Sequence, residues 1–578
     1  MSFAAELERV TESLAALCRE NFGPCGEETL LFQAPEVPLI TSEGHAVLAA
    51  WKRGLDGNDP VATYLLASAD SVYEQLGDAS SEFILLINAA TRLAAEKLRR
   101  EQSDWNVVGH TRLSRAFGEL KWELKREMET PASELSKLKL PVFIDSSQEF
   151  RDACSNILIS ALRGMLGERA MMFLVDLILQ WLSLSSCKTA KLLYQRAQQF
   201  IKCAPNAIIF IVAPSICTSN VVPEDEFILK KSIVTSQPLD ILDRCRKTVR
   251  FACFTCPLSL SSGSNSVELA TTTDEELFTA HDAARLFMMS LIRRLRDIYD
   301  VQLVITTEVL DESIIAACTR QNIACVQYAE PEHIEALCIC AGITPLASVF
   351  DDIQVAEHIG KCTNGVNRMK CQQQACLRLR GLSNSRTKCN QKVNDERRFN
   401  EIMVPQLLIH APSKGVYKQY YAAIIKSLRV LRSWWEPGND CDVNVYSCRG
   451  GGATEVAVAR WLRVVSTLRY NLRGVNASQR GEQSCKKNQR QQLLDGFAQL
   501  CHINRETHRE EYPGYTLHSR KIQTVAGLIS IPEVVNGDPA ILGLLHPWRR
   551  IDTLLFLVLE NLEQVFRIDQ VFSKRTKR

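Results

Sequence analysis

The sequence predicts an α+β multidomain fold, and three observations predict it. Strand-like apolar runs gather between residues 200 and 345, where they alternate with helical stretches. The flanking thirds read as helices, and glycine-containing turns collect in the two ends. At 578 residues the chain exceeds a single core and corresponds to about three to four units of ordinary domain size. A hydrophobic content of 46% against 23% charged residues belongs to a folded globular protein rather than a disordered one. The net charge of +2 carries no global signal for nucleic acid, so no nucleic-acid partner is expected.

The first residues, Met1 to Arg9, are acidic and amphipathic without an apolar centre, so no secretory signal is expected. Ala170 to Ser183 is apolar, but Glu168 and Arg169 bound it and Asp176 and Gln180 interrupt it, short of membrane-spanning length. A soluble, cytoplasmic protein without membrane insertion is expected. The 21 cysteines are scattered singly, several inside apolar runs, and read as reduced, buried small hydrophobes. Cys253 and Cys256 form a CxxC, but the run around them has strand character, which argues against redox or zinc chemistry.

In chain order, Leu7, Val10, Leu14 and Leu17 recur at helical spacing and end at a turn, Phe22-Gly23-Pro24-Cys25-Gly26, in which glycines flank a rigid proline. Thr41-Ser42-Glu43-Gly44 is a second turn, leading into a helix over 46–55. Gly77-Asp78-Ala79-Ser80-Ser81 is a third, preceding a helix over 83–98. Residues 113–197 read as helices, including 153–166 and 168–184. Strand-type runs follow at 206–213, 227–229, 249–254, 301–306 and 324–328, with helices at 276–299 and 312–321 between the later ones. Residues 259–273 are rich in Ser and Thr and read as an exposed loop. The segment 359–400 carries many basic residues, from Lys361 to Arg398, and reads as a solvated basic loop, with a patch for an acidic partner as the other reading. The irregular spacing of Cys362, Cys371, Cys376 and Cys389 within it argues against zinc. Residues 417–431 read as a helix, 478–490 as a second basic stretch, and 551–569 as a buried helix before a basic tail.

Gly450, Gly451 and Gly452 stand before a helical-looking run, 456–462. Consecutive glycines let the backbone approach a neighbour closely and tolerate φ > 0, and a helix beginning beyond them points free N–H groups back at that spot. An anion or nucleotide would fit there; close helix packing accounts for the same glycines. The three earlier turns offer similar chemistry, and together the four would form a composite phosphate cradle with a carboxylate to hold a metal.

In this order the turns resemble those of group II chaperonin subunits. Phe22 to Gly26 resembles the family's LGPKG turn, Ser42-Glu43-Gly44 its NDG turn, Gly77 to Ser81 its GDGTT loop, Arg449 to Glu455 its PGGGA-E motif and Arg567 to Val571 its closing RIDD element. His546-Pro547 resembles an EP pair, which puts Asp538 at the family's nucleotide-contacting aspartate. The resemblance implies three domains in nested order: a helical equatorial domain from 1–125 and 409–578, a small intermediate domain from 126–195 and 346–408 with the basic insertion, and an α/β apical domain over 196–345. It implies ATP or ADP with Mg as cofactor, held by Gly23, Pro24, Gly26, Glu43, Gly44, Gly77, Asp78, Ala79, Ser80, Ser81, Gly450, Gly451, Gly452 and Asp538, with Asp78 as the metal ligand.

The departures from that pattern carry the functional expectation. In active members an aspartate in an HDA context orients the water that attacks the γ-phosphate; the matching position here is Lys426, and no Asp or Glu occurs from Ile402 to Trp435. Without a carboxylate there, in-line phosphoryl transfer loses a main contributor, so no catalytic residue and no productive hydrolysis are expected. The lysine would contact phosphate or pair with Asp78. Glu43 replaces the aspartate of NDG and Ala79 the second glycine of GDGTT, which would weaken nucleotide binding. Such losses resemble the Bardet–Biedl syndrome chaperonin-like proteins. That resemblance implies a non-hydrolysing assembly factor, in the cytoplasm and at the cilium base, with chaperonin-like relatives and cytosolic chaperonin subunits as partners and unfolded subunits of the ciliary membrane-coat complex as clients. The alternatives are an ATP-dependent chaperonin subunit that still hydrolyses, and a plain scaffold with a collapsed pocket.

Overall fold

The computed structural model describes residues 3–22, 26–32, 38–54, 59–100, 107–131, 133–144, 148–183, 189–235, 248–258, 273–371, 374–382, 405–436, 444–450, 453–455, 457–459, 461–462, 515–524, 527–536 and 544–568. In chain order these form α1 (Phe3–Glu20), β1 (Thr29–Leu31), β2 (Leu39–Thr41), α2 (Gly44–Gly54), α3 (Pro60–Leu76), α4 (Ser80–Arg100) and α5 (Val107–Glu129). Next come β3 (Leu140–Phe143), α6 (Gln148–Leu162), α7 (Glu168–Ser183), α8 (Ala190–Ala207), β4 (Ile208–Val212), β5 (Asn220–Val221), β6 (Glu226–Leu229) and β7 (Val249–Phe254). The chain continues through α9 (Asp274–Asp297), β8 (Leu303–Thr306), α10 (Glu312–Arg320), β9 (Ala324–Val326), α11 (Pro331–Ala341), β10 (Ile359–Cys362), β11 (Val366–Cys371), β12 (Gln374–Arg380) and β13 (Leu407–Ala411). It finishes with α12 (Lys414–Trp435), β14 (Asn444–Arg449), β15 (Tyr515–Thr524), β16 (Gly527–Asn536), β17 (Leu545–Pro547) and α13 (Trp548–Val565).

Local chemistry sets several of these boundaries. α3 begins where the Asp59 carboxylate accepts the Ala62 N–H at 2.9 Å and Pro60 supplies a preset φ; it ends at Gly77, left-handed at φ +73. α9 opens on Thr273, whose hydroxyl accepts the Glu276 N–H, and acidic residues fill its first turn. No helix among the described residues is long and apolar enough to cross a membrane.

The chain divides into two compact units, one made of its two ends, Met1–Ile201 with Lys414–Arg578, and one of its middle, Lys202–Ser413. The core of the first unit joins apolar faces of α1, α3, α4, α5 and α13, with Leu14, Phe83, Ile87, Phe117, Val558 and Leu559 fully buried. α5 and α13 are tied by a Lys121–Glu563 ion pair of 2.8 Å and by the Ser114 hydroxyl donating to the Glu563 carbonyl. A three-stranded antiparallel sheet, in the order β17-β14-β3, sets Cys448 opposite His546.

The second unit is built on a four-stranded sheet in the order β10-β7-β8-β9, parallel across β7, β8 and β9 with β10 antiparallel at one edge. α9 and α10 supply the crossovers that parallel strands require. Along β7 the side chains alternate between two apolar layers, Phe251 and Cys253 on one side and Ala252 and Phe254 on the other, as a sheet covered on both faces demands. β4 and β13, some two hundred residues apart, pair in parallel from Leu407↔Ile208 to Ala411↔Val212 and bring the ends of this unit together.

Two expectations need correction. The segment from 359, read as a solvated basic loop, forms three strands as far as Arg380: β10 extends the four-stranded sheet, and β11 and β12 form a hairpin that pairs with β6. Its lysines and arginines alternate with buried Ile359, Cys362, Val366, Cys376, Leu377 and Leu379, so the half-buried pattern was masked by charge on the outer face. The stretch 113–197 is not helical throughout, since β3 interrupts it. The strand-rich reading of 249–326 matches β7, β8 and β9. Residues 383–404 and 463–514, which include the second basic stretch, lie outside the described residues.

All eight tryptophans fall in the unit made of the two ends, so tryptophan emission reports on that unit alone. Gly77 and Gly164 both have positive φ there, but a Cβ at Gly77 would stand 2.5 Å from Arg429 Cβ and 2.6 Å from the Val430 nitrogen, whereas Gly164 has nothing within 4 Å. Both alanine variants cost about 1–2 kcal/mol for the left-handed backbone. Only Gly77→Ala adds about 1–3 kcal/mol of overpacking. Urea unfolding followed by tryptophan emission should therefore show a lower midpoint for Gly77→Ala than for Gly164→Ala; equal midpoints would remove the packing argument.

Candidate functional site

The site begins at the end of α3. The Gly77 N–H closes the helix on the Tyr73 carbonyl at 2.8 Å, and the next two residues turn sharply into α4. Ala79 is also left-handed, at φ +71, a conformation that costs an L-residue about 1–2 kcal/mol. The Asp78 side chain between them accepts the Ala79 N–H. Gly44, the first residue of α2, packs so closely on this loop that a Cβ would lie 1.9 Å from Ser81 Oγ.

Opposite the loop runs α12, whose backbone at Arg429 and Val430 meets Gly77 directly. One turn earlier, Lys426 reaches Asp78, with Nζ 3.3 Å from Oδ1. From α13, Arg550 approaches the other oxygen, Nε to Oδ2 at 3.6 Å, and turns its remaining nitrogens to Glu82 at 2.5 Å and to Glu455 at 3.5 Å. Lys426 and Arg550 are 9% and 7% exposed, while the Asp78 side chain keeps 27% of its surface open. Cations on two helices therefore engage both oxygens of one carboxylate.

The protonation states follow from that arrangement. Burial alone would raise Asp78, but Lys426, Arg550 and the Ala79 N–H outweigh it and hold the carboxyl well below the usual carboxylate range. Burial also opposes charge on Lys426 and Arg550, yet the surrounding carboxylates, Asp78 first for the lysine and Glu82 first for the arginine, keep both raised and protonated. Glu82 is pushed up to about 7 by burial, aided by the charges of Glu455 and Asp78 against the pull of Arg550. Glu43, buried beside Lys426 and hydrogen-bonded to Tyr73, is raised by its burial. Burial and then Arg550 drive His546 down to about 3, so it stays neutral. The Tyr73 ring is stacked between His45, with ring centroids 3.7 Å apart, and the Arg429 guanidinium at 4.7 Å.

The structure brings Glu43, Gly44, Gly77, Asp78, Ala79, Ser81 and Lys426 together. Ser80 is buried at the same loop, but its hydroxyl donates back to the Ala69 carbonyl at 3.4 Å, and Ser81 hydrogen-bonds Cys18. Gly26 sits at the end of α1, where a Cβ would stand 2.3 Å from the Asn21 carbonyl oxygen. Gly450 lies at the end of β14 with its N–H on the Leu544 carbonyl, and a Cβ there would be 2.8 Å from the His546 ring. Its glycine answers to close approach, since its φ is not positive. Gly23, Pro24, Gly451, Gly452 and Asp538 lie outside the described residues. Sequence reasoning missed Arg550, Glu82 and Tyr73. Arg550 left a signal: it falls one turn before Leu554 on a buried helix face, and a lone charge on an apolar stripe calls for a buried counter-charge.

The residues present do not fit a magnesium ion. A metal on Asp78 needs a free oxygen at about 2.1 Å in a near-octahedral shell. Both oxygens already stand within ion-pair distance of a protein cation. A dication about 4 Å from the Lys426 ammonium would be repelled by about 8 kcal/mol at an effective dielectric of about 20. Among the described residues, no group of three or more His, Cys, Asp or Glu is placed to hold a metal.

The model of the TCP-1/cpn60 chaperonin family matches residues 14–472, a span that includes the Gly77 loop and Lys426 and stops short of His546 and Arg550. No curated protein matches the chain.

Two outcomes follow from the geometry. Lys426→Met leaves the half-buried Asp78 beside Arg550 alone; breaking a fully buried pair from one side costs about 3–5 kcal/mol, and the open part of Asp78 reduces this to about 1–3 kcal/mol, which tryptophan-detected unfolding will read. The second concerns pH. His546 at about 3 and His45 at about 4 are neutral when folded and take up protons on unfolding, so stability falls as pH drops below 6.5. Glu82, held at about 7, binds its proton in the folded state first, so it adds stability as pH drops from 7 toward 4.5. Glu82→Gln removes the opposing contribution and should steepen the acid loss between pH 6.5 and 4.5; an unchanged slope would show that Glu82 does not titrate in that window.

Proposed function

The chain belongs to the TCP-1/cpn60 chaperonin family, and from that membership we propose that it is a chaperonin-like folding and assembly factor that does not turn over ATP. Family membership supports a role in protein folding, with other chaperonin subunits and client proteins as partners. The observation that carries the loss of turnover is Lys426: an ammonium 3.3 Å from Asp78 stands at the position where the resemblance calls for the water-orienting aspartate. An ammonium can neither accept a proton from water nor orient it through lone pairs. α12 contains no Asp or Glu along its length to take over.

The finer reading follows the resemblance to group II subunits and to the Bardet–Biedl syndrome chaperonin-like proteins. The early Gly23-Pro24-Cys25-Gly26, the helix-rich stretch that holds Phe150 to Cys154 and Ala170 to Leu182, and the divergent turn before Lys426 resemble the tenth of these. On this reading the protein works in the cytoplasm and at the cilium base. With its chaperonin-like relatives and the cytosolic chaperonin, it holds unfolded subunits of the ciliary membrane-coat complex during assembly. Any ATP or ADP it takes up serves shape rather than turnover.

Purified protein given Mg-ATP should release no phosphate above the protein-free rate. Release that disappears in Asp78→Ala would instead identify an ATP-dependent chaperonin subunit. Affinity purification from ciliated cells should recover chaperonin subunits together with coat-complex subunits, and recovery of neither would sink the assembly role.

A further inference from the structure

We propose that Lys426 has taken over the cation position at Asp78, so that the pocket is neutralised by the protein's own charges and takes up no divalent metal. The proposal rests on reading this pocket as the descendant of a nucleotide site, and it goes beyond the loss of hydrolysis. A protein can lose its water-orienting group and still bind metal-nucleotide; here the metal's own ligand is engaged.

Two features carry it. The first is that each oxygen of Asp78 stands at ion-pair distance from a cation: Oδ1 is 3.3 Å from Lys426 Nζ and Oδ2 is 3.6 Å from Arg550 Nε, a contact too long to be a hydrogen bond. The second is the fixity of the lysine. α12 lies so near the Gly77 loop that not even a methyl group fits between them, and Lys426, one turn before that contact, is buried. Its side chain keeps only 11% of its surface open.

The test uses the full-length protein and Mn2+ as the probe, with free Mn2+ followed by electron paramagnetic resonance. Wild-type protein should bind no more Mn2+ than Asp78→Asn, which corrects for adventitious sites. Lys426→Asp should gain about one Mn2+ per chain, and the gain should vanish in the D78N/K426D double variant. Tryptophan emission checks that each variant is folded. Should Lys426→Asp not fold, Lys426→Gln serves in its place and is expected to bind Mn2+ above the Asp78→Asn background, a gain lost in the D78N/K426Q double variant. Asp78-dependent Mn2+ binding by the wild type overturns the proposal, as does a folded lysine variant that gains none. Mn2+ binding by the wild type without phosphate release from ATP would remove this inference and leave the proposed function standing. Phosphate release without Mn2+ binding would do the reverse.

Discussion

A buried charge has to be matched where it stands, and the cluster around Asp78 imposes that requirement on widely separated parts of the chain. Asp78 and Glu82 come from the N-terminal segments, while Lys426, Glu455 and Arg550 come from beyond the inserted middle. Removing any one of them strands its partners in a low-dielectric interior, where an unmatched charge is far more costly than a lost surface contact. The network thus does more than decorate a pocket. It fixes which face of α12 meets the α3–α4 loop and sets the start of α13 against both.

Glycine makes this network possible. Gly77 both terminates α3 in a left-handed conformation and leaves room for the α12 backbone, and Gly44 and Gly450 allow similar approaches to Ser81 and His546. In a nucleotide-binding relative, such glycines would be expected to admit phosphate oxygens. Here the described ones admit protein atoms. The same residue type serves either purpose, because what glycine supplies is the absence of a Cβ and the choice of occupant is left to its neighbours.

The sequence made much of this legible, for reasons that can be named. Helical periodicity located α1, α4, α12 and α13, and apolar β-branched runs located β4, β7 and β8, because burial on one or both faces writes a pattern into the chain. The short hairpin of β1 and β2, the long one of β15 and β16, and the strands β10 to β12 escaped notice; the last of these carry charge on alternate positions, which reads as a loop when the intervening Cys362, Val366 and Leu379 are not weighed. At the site, the glycine turns and the misplaced lysine were visible as local motifs. Arg550 was not, since its meaning depends on Glu82, Asp78 and Glu455, partners 468, 472 and 95 positions away. Pairing across such distances is a property of the fold and leaves only a faint trace in any one segment.

The parallel pairing of β4 with β13 has a consequence for how the molecule is made. Translation delivers β13 at Ala411, and with it the last strand of the middle unit, while Arg550 and α13 are still unwritten. At elongation rates of about 5–20 residues per second, roughly 7–28 seconds separate the two. During that interval the nascent chain holds an inserted unit whose strands are all present and an enclosing unit still short of the arginine that neutralises Glu82 and helps to neutralise Asp78. The order of synthesis thus runs from the inside of the chain outward, and the unit assembled from both ends is the last to acquire its full set of charges.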